Sequence, residues 1–360
     1  MSAQSQTSRQ LTFSEAIRDA IDVAMERDPK VYLMGLGVPD PIGVFGTTRG
    51  LHKKYGDNRV FDMPIAENAM TGVALGSCLV GMRPIMTHMR LEFAMTSIDQ
   101  VCNQAAKWHY MFGGRSQVPM TLRMIVGRGW GQGPQHSQSL HAWFAHIPGL
   151  KVVMPSTPYD AKGLLIASIE DNSPVVFIEH RWLYNIHGPV PEGHYTVPLS
   201  QPRVVREGRD ITIVALSYAT LDAIKAARTL EADGIDSEVI DLRTLCPRDN
   251  TMILESVRKT GRLIVVDQGS MTGGFAGDIV SVVVENVFDA LKTPPVRIAL
   301  PDAPTPTTRS LSNYFYPQPA SIVAAARRAL GRPYDADPFV GIDPSDKTLD
   351  VPDKSFTGPF

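Results

Sequence analysis

Cysteine is scarce in this chain: its 360 residues contain three, Cys78, Cys102 and Cys246, far apart and with no Cys-x-x-Cys spacing. That excludes a disulfide framework and a thiolate metal site, and it fits buried thiols in a reducing compartment. A long basic block is also missing. With 35 lysines and arginines against 37 acidic residues, the formal net charge is -2. The chain therefore lacks the electrostatic footprint of a nucleic-acid binder. No run reaches the roughly 18 apolar residues of a membrane helix. The N-terminal MSAQSQTSRQ is polar and lacks the apolar centre of a secretion signal. A Walker A motif is absent. The expected setting is the cytoplasm of a bacterium or, after processing, an organelle matrix, with no secretion and no membrane partner.

What remains is an ordinary globular composition, 43% apolar and 20% charged, in a chain long enough for two cores. The first half alternates helix and strand patterns. Thr12-Phe13-Ser14-Glu15 forms a capping box, and Ile17, Ile21, Ala24 and Met25 continue a helical stripe. Strands are predicted at 31–34, 60–61, 84–89, 118–125, 152–154 and 175–178. Helices are predicted from Glu67 to about residue 80, over 96–111 and over 160–169. Such alternation predicts a mostly parallel sheet covered on both faces. Residues 187–202 contain four prolines and read as a loop at a domain boundary. A second alternation follows, with strands at 211–216, 238–242, 263–267 and 296–300 and helices around 219–232, 251–259, 274–287 and 319–330. It predicts a smaller α/β domain. Residues 333–360 hold six aspartates and no periodicity, and read as an extended acidic tail.

Several residues invite a chemical role. Glu67 opens an almost wholly apolar helix, ENAMTGVALGSCL, as either a helix-dipole cap or a catalytic acid. His136 follows the glycine-rich loop Gly127-Arg128-Gly129-Trp130-Gly131-Gln132-Gly133, where backbone can approach a ligand; a loop histidine can equally be incidental. The loop is not a dinucleotide fingerprint, because no acidic residue closes a βαβ unit behind it. In Arg90-Leu91-Glu92-Phe93, at a strand's carboxyl end, Phe93 is either core or a platform for a flat ring. Asp99 lies on an otherwise apolar helix and reads as a buried carboxylate needing partners, either a hydrogen-bonded structural residue or a functional one. Asp267-Gln268 and Thr272-Gly273-Gly274-Phe275 follow a strand and read as packing or subunit-contact elements ahead of a ligand role.

The run at 135–165, QHSQSLHAWFAHIPGLKVVMPSTPYDAKGLL, joins RVFDMPIAE, AAKWHYMFGG, NSPVVFIEH, SEVIDLRTLCPRD, KTGRLIVVDQ, TGGF and PDAPTP in one order. Over about residues 11–330 the chain resembles the β subunit of thiamine-diphosphate-dependent 2-oxoacid dehydrogenases, the pyruvate and branched-chain type. The resemblance implies a pyrimidine-binding α/β domain over 11–186, a linker over 187–203 and a smaller transketolase-like C-terminal domain over 204–332, ahead of the tail. It implies that Glu67 hydrogen-bonds N1′ of the cofactor's aminopyrimidine and relays a proton, and that Met89 and Phe93 pack beside that ring. It puts His136 toward the substrate and an incoming lipoyl group, and a potassium ion on the backbone of Ser168, Ile169, Asp171 and Ser173.

The family's Gly-Asp-Gly…Asn-Asn diphosphate motif is absent; Gly56-Asp57-Asn58 and Gly277-Asp278-Ile279 are the nearest stretches. The resemblance therefore implies an α subunit holding Mg²⁺ and the diphosphate, an α2β2 tetramer, a lipoyl acyltransferase core and a small 2-oxoacid substrate. Three departures surround the site. Leu36 stands where a glutamate is usual, Thr87 where an acid is common, and Met124-Ile125-Val126 where a Gly-Pro stretch is usual. They leave open a non-oxidative acyloin synthase or transketolase-like ligase, and a scaffold without chemistry, against which Glu67 and His136 argue.

Overall fold

The computed structural model describes residues 8–128 and 131–335. The first domain is built on a seven-stranded sheet in the order Val60–Phe61, Val31–Gly35, Arg83–His88, Thr121–Val126, Val175–His180, Lys151–Val153 and Thr244–Cys246. The first six are mutually parallel and the last is antiparallel. Alternation of side chains divides the strands between two cores. Leu33, Ile85 and Ile125 pack with Phe13, Ile17 and Leu164 from the helices Phe13–Arg27 and Pro158–Glu170. Met34, Met86 and Met124 face the other way, with Ala74 and Leu75 of the helix Glu67–Leu79. The capping box is formed: the Thr12 hydroxyl accepts from the Glu15 N–H (3.2 Å), and the Glu15 carboxylate accepts from the Thr12 N–H (2.8 Å).

The second domain carries a five-stranded sheet, Val296–Leu300, Leu263–Ser270, Ile211–Ala215, Ser237–Asp241 and Arg203–Arg206, parallel except for the last strand. Among the described residues no helix is long and apolar enough to cross a membrane.

The structure departs from the sequence expectations at four places. The expected loop at 187–202 contains the strand His187–Pro191, paired antiparallel with Ser8–Thr12. Prolines at 189 and 191 are tolerated because a two-stranded ribbon leaves edge positions without ladder partners. The short strand Thr244–Cys246 leaves its own domain and joins the first sheet, so Leu245, Ile253 and Val257 share a core with Met120 and Phe144. The expected helix over 96–111 is three consecutive pieces: a 3₁₀ segment Leu91–Ser97, a π-helical segment Asp99–Ala105 and an α-helix Ala106–Met111. Hydroxyls explain the tight start: Thr96 Oγ1 donates to the Phe93 carbonyl and Ser97 Oγ to the Ala94 carbonyl, both at 2.9 Å. Asp99 is exposed rather than buried, and it accepts from Asn103 at 2.7 Å and Gln100 at 3.3 Å. Gly129 and Trp130 of the glycine-rich loop, and the tail beyond Asp335, lie outside the described residues.

Candidate active site

Parallel strands deliver chain to one edge of a sheet, and that edge is where α/β folds bind ligands. Here the carboxyl ends of four neighbouring parallel strands release Leu36, the 62–67 turn, the 89–93 turn and the chain that follows Val126. The Gly37 N–H donates to Asp62 Oδ1 at 3.2 Å, which ties the first two segments together. Glu67 is the first residue of its helix, after Ala66 at the cap position, and the helix has no side-chain cap. The half-buried Glu67 carboxylate makes no hydrogen bond to any described residue. The capping alternative therefore reduces to a dipole contribution, and the carboxyl is left available to a ligand.

The helix Glu67–Leu79 packs against the segment Leu91–Ser97, whose Glu92 and Phe93 meet Gln138 and His136. Phe93 meets His136 edge to face, with ring centroids 5.5 Å apart. His136 is half-buried, and its Nδ1 is sequestered without a hydrogen-bond partner. Met89, partly buried, packs on the core below. Arg90 Nε donates to Gln132 Oε1 at 3.1 Å. Gly127 is required here, because a Cβ would lie 2.5 Å from the His136 carbonyl oxygen. Glu92 Oε1 accepts from the Gln138 N–H, while its Oε2 is buried without a partner. Burial pushes the Glu92 carboxyl up to about 7, and its hydrogen bonds and Arg90 offset this only in part.

The residues suit the aminopyrimidine half of thiamine diphosphate: an unpaired carboxyl, an aromatic edge, a thioether and a histidine with an unsatisfied nitrogen. They do not suit the diphosphate half. Among the described residues no cluster of His, Cys, Asp or Glu is arranged to hold a metal. Asp57 is engaged by His52 at 2.5 Å and Asp278 by Arg248 at 2.9 Å. At the turn expected to bind potassium, the Ile169 and Asp171 carbonyls each accept from Arg83 Nη1 at 3.0 Å. Ser168 Oγ turns back to the Leu164 carbonyl, and the Ser173 N–H donates to the Asp171 carboxylate. A guanidinium thus already offers positive charge to two of the expected carbonyls.

Two buried charge networks were missed in the sequence. Arg123 forms a bidentate pair with Glu179 (2.6 and 2.9 Å) and also donates to Thr47 (3.0 Å) and, weakly, to Thr87 (3.4 Å). His141 is paired with Asp267 across the domain boundary. An arginine within TLRMIV and a glutamate within VVFIEH were the available signals, since charges in fully buried strands demand partners. Leu36 packs partly buried against the core, and Met124 is fully buried within it, so both departures are occupied by packing.

Comparison with known proteins agrees with this architecture. Residues 9–186 match the family described as transketolase, pyrimidine binding domain, and residues 200–322 match transketolase, C-terminal domain. The chain is 45% identical over 332 residues to the β subunit of acetoin:2,6-dichlorophenolindophenol oxidoreductase of Cupriavidus necator, covering 89% of this chain and 98% of that one. The Bacillus subtilis counterpart is 42% identical over 337 residues, covering 90% and 98%. The pyruvate dehydrogenase E1 component subunit beta of Porphyra purpurea is 42% identical over 316 residues, covering 88% and 96%. A solved split-gene transketolase, described as an inactive β4 tetramer, shares the fold at a TM-score of 0.71 and 24% identity, covering 89% and 98%. The chain belongs to the β-subunit family of thiamine-diphosphate-dependent 2-oxoacid dehydrogenases, with a transketolase-type pyrimidine-binding domain followed by a transketolase-type C-terminal domain.

Proposed function

We propose that this chain is the β half of a heteromeric decarboxylating component that acts on a small 2-oxoacid and passes the acyl group to a lipoyl group. The observation that carries the reading is Glu67: a carboxyl without a hydrogen-bond partner among the described residues, on the strand edge that also presents Phe93 and His136. Bound thiamine diphosphate supplies a nucleophilic carbon and an electron sink for decarboxylation. Glu67 is assigned the hydrogen bond to the aminopyrimidine N1′ and the holding of its proton. Met89 and Phe93 form the apolar wall beside that ring. His136 is assigned to the substrate side, where it holds or moves a proton at the substrate oxygen.

The other half of the site belongs to an α subunit carrying Mg²⁺ and the diphosphate, in an α2β2 tetramer docked on a lipoyl acyltransferase core. Potassium at the 168–173 turn would use carbonyl lone pairs that Arg83 leaves free. The boundaries 11–186, 187–203 and 204–332 are kept as the functional division. The free cysteines suit a reducing cytoplasm or organelle matrix.

A second reading is favoured by one finding: the relatives at 45% and 42% identity are named for acetoin, an acyloin. In it the same residues act on a hydroxyketone. Co-expression with an α chain bearing Gly-Asp-Gly…Asn-Asn separates the two. The first reading requires decarboxylation of a 2-oxoacid with thiamine diphosphate and Mg²⁺, and acylation of an added lipoyl domain. A ketol product formed without lipoyl, or turnover of acetoin alone, contradicts it.

A further inference from the structure

We infer that Glu92 is a positioning residue for His136, holding the 136–138 turn in place through the Gln138 N–H. The inference rests on the reading of His136 as the substrate-facing group. Three side chains of one turn, Arg90, Glu92 and Phe93, grip one loop. Arg90 reaches Gln132 at 3.1 Å, Phe93 stands against the His136 ring at 5.5 Å, and Glu92 Oε1 takes the Gln138 N–H. Among the described residues, the loop has few other restraints near His136. A backbone bond joins the His136 N–H to the Gly133 carbonyl at a long 3.4 Å, and Ser137 Oγ is buried without a partner. A carboxylate that accepts a backbone N–H in a buried place makes a strong, directional tether. Among the described residues, removing it leaves the stretch around His136 with the Gln132 contact, the Phe93 ring and the long bond to Gly133, while Trp182 Nε1 still donates to the Arg128 carbonyl.

Glu92 is also an ionisable group inside the site. Its Oε2 has no partner, and burial raises its pKa. Of the neighbouring charges, Arg90 on its own turn favours the anion. The elements packed on that turn carry Glu67 and Cys78 on the helix, His88 on one strand, Arg123 on the next and Asp99 just downstream; the facing loop carries His136 and Arg128. The tether is thus strongest when Glu92 is ionised, so the placement of His136 is coupled to a proton on Glu92.

The test uses the full chain assembled with its α partner. Hydrogen exchange in the peptide spanning 131–140 is compared for wild type, Glu92→Ala and Glu92→Gln. The alanine variant is expected to exchange roughly ten-fold faster, the loss of one net hydrogen bond. The glutamine variant is expected to fall between the two, because its amide oxygen still accepts but without the charge. Where Glu92→Ala does not fold, Glu92→Asp keeps the charge and withdraws the acceptor, and faster exchange is expected again. In turnover, Glu92→Gln is expected to remove one ionisation from the pH profile of kcat while KM stays within about two-fold. Equal exchange in Glu92→Ala and wild type overturns the tether. Faster exchange with an unchanged kcat profile in both variants overturns the positioning role. Absence of 2-oxoacid turnover in wild type defeats the proposed function, and the exchange comparison still decides the tether.

Discussion

His141 Nε2 and Asp267 Oδ1 lie 2.8 Å apart, both side chains fully buried, one from each domain. Asp267 also accepts from the Gly269 N–H at 2.8 Å and the Ala276 N–H at 3.0 Å, and Ser139 Oγ hydrogen-bonds His141 Nδ1 at 3.1 Å. Burial alone would raise the Asp267 carboxyl, but the imidazole and the two N–H groups hold it below the usual range. The Asp267-Gln268 stretch is thus a structural lock between domains, and it anchors the chain just downstream of His136.

Asp267→Ala should cost about 3 kcal/mol or more, because it leaves a buried imidazole and two backbone donors unsatisfied. Urea unfolding at pH 7 measures it. A lowered carboxyl contributes stability above its unfolded pKa and loses it as pH falls through the folded value. The difference between variant and wild type should therefore shrink in strongly acidic solution.

His88 presents the opposite case. It is buried at the end of its strand, both ring nitrogens lack partners, and burial pushes it down to about 4. The unfolded chain takes up a proton near 6.5 while the folded chain does not, so stability falls as pH drops from about 6.5 to about 4. His88→Phe should remove this acid sensitivity. At pH 5 the variant should gain about 2 kcal/mol relative to its own difference from wild type at pH 8. Melting curves at the two pH values check the sign.

Arg123 and Glu179 form a fully buried pair, with Tyr184 donating to Glu179 Oε2 at 2.7 Å. Removing one partner strands a charge in the core. Glu179→Leu should therefore destabilise the chain by about 3–5 kcal/mol. Arg123→Met combined with Glu179→Leu should recover much of that loss, measured as a double-mutant cycle in urea.

At the 168–173 turn, Arg83→Met removes the guanidinium from the Ile169 and Asp171 carbonyls. The proposed potassium then becomes the main cation available to them. Potassium chloride should raise the melting temperature over tetramethylammonium chloride at equal ionic strength, and by more in the variant than in wild type.

The parallel architecture was legible because buried strands such as VYLMG and VVFIEH are continuous apolar runs between helical stripes. The strand Thr244–Cys246 was not, since three residues carry no period and its partner lies in the other domain. The split of the 96–111 helix was hidden because it depends on two hydroxyls turning back to their own turn. At the site, Glu67, Phe93 and His136 were visible as residue types at strand ends. Glu92 and Arg90 were on view in the same tetrapeptide. Their task became apparent only when the fold laid Gln132 and Gln138 against them. Asp99 was misread as buried because its neighbours on the helix are apolar, whereas its own position faces outward.

The central claim is that Glu67 is the proton-holding group of a thiamine site completed by another chain. The most direct measurement is 2-oxoacid decarboxylation by the Glu67→Gln complex with its α partner, beside wild type at saturating thiamine diphosphate and Mg²⁺. Glutamine keeps the size and the helix and cannot relay the proton. The expected result is a fall in kcat on the order of 10²-fold or more with an unchanged melting temperature. Full activity in that variant would contradict the account.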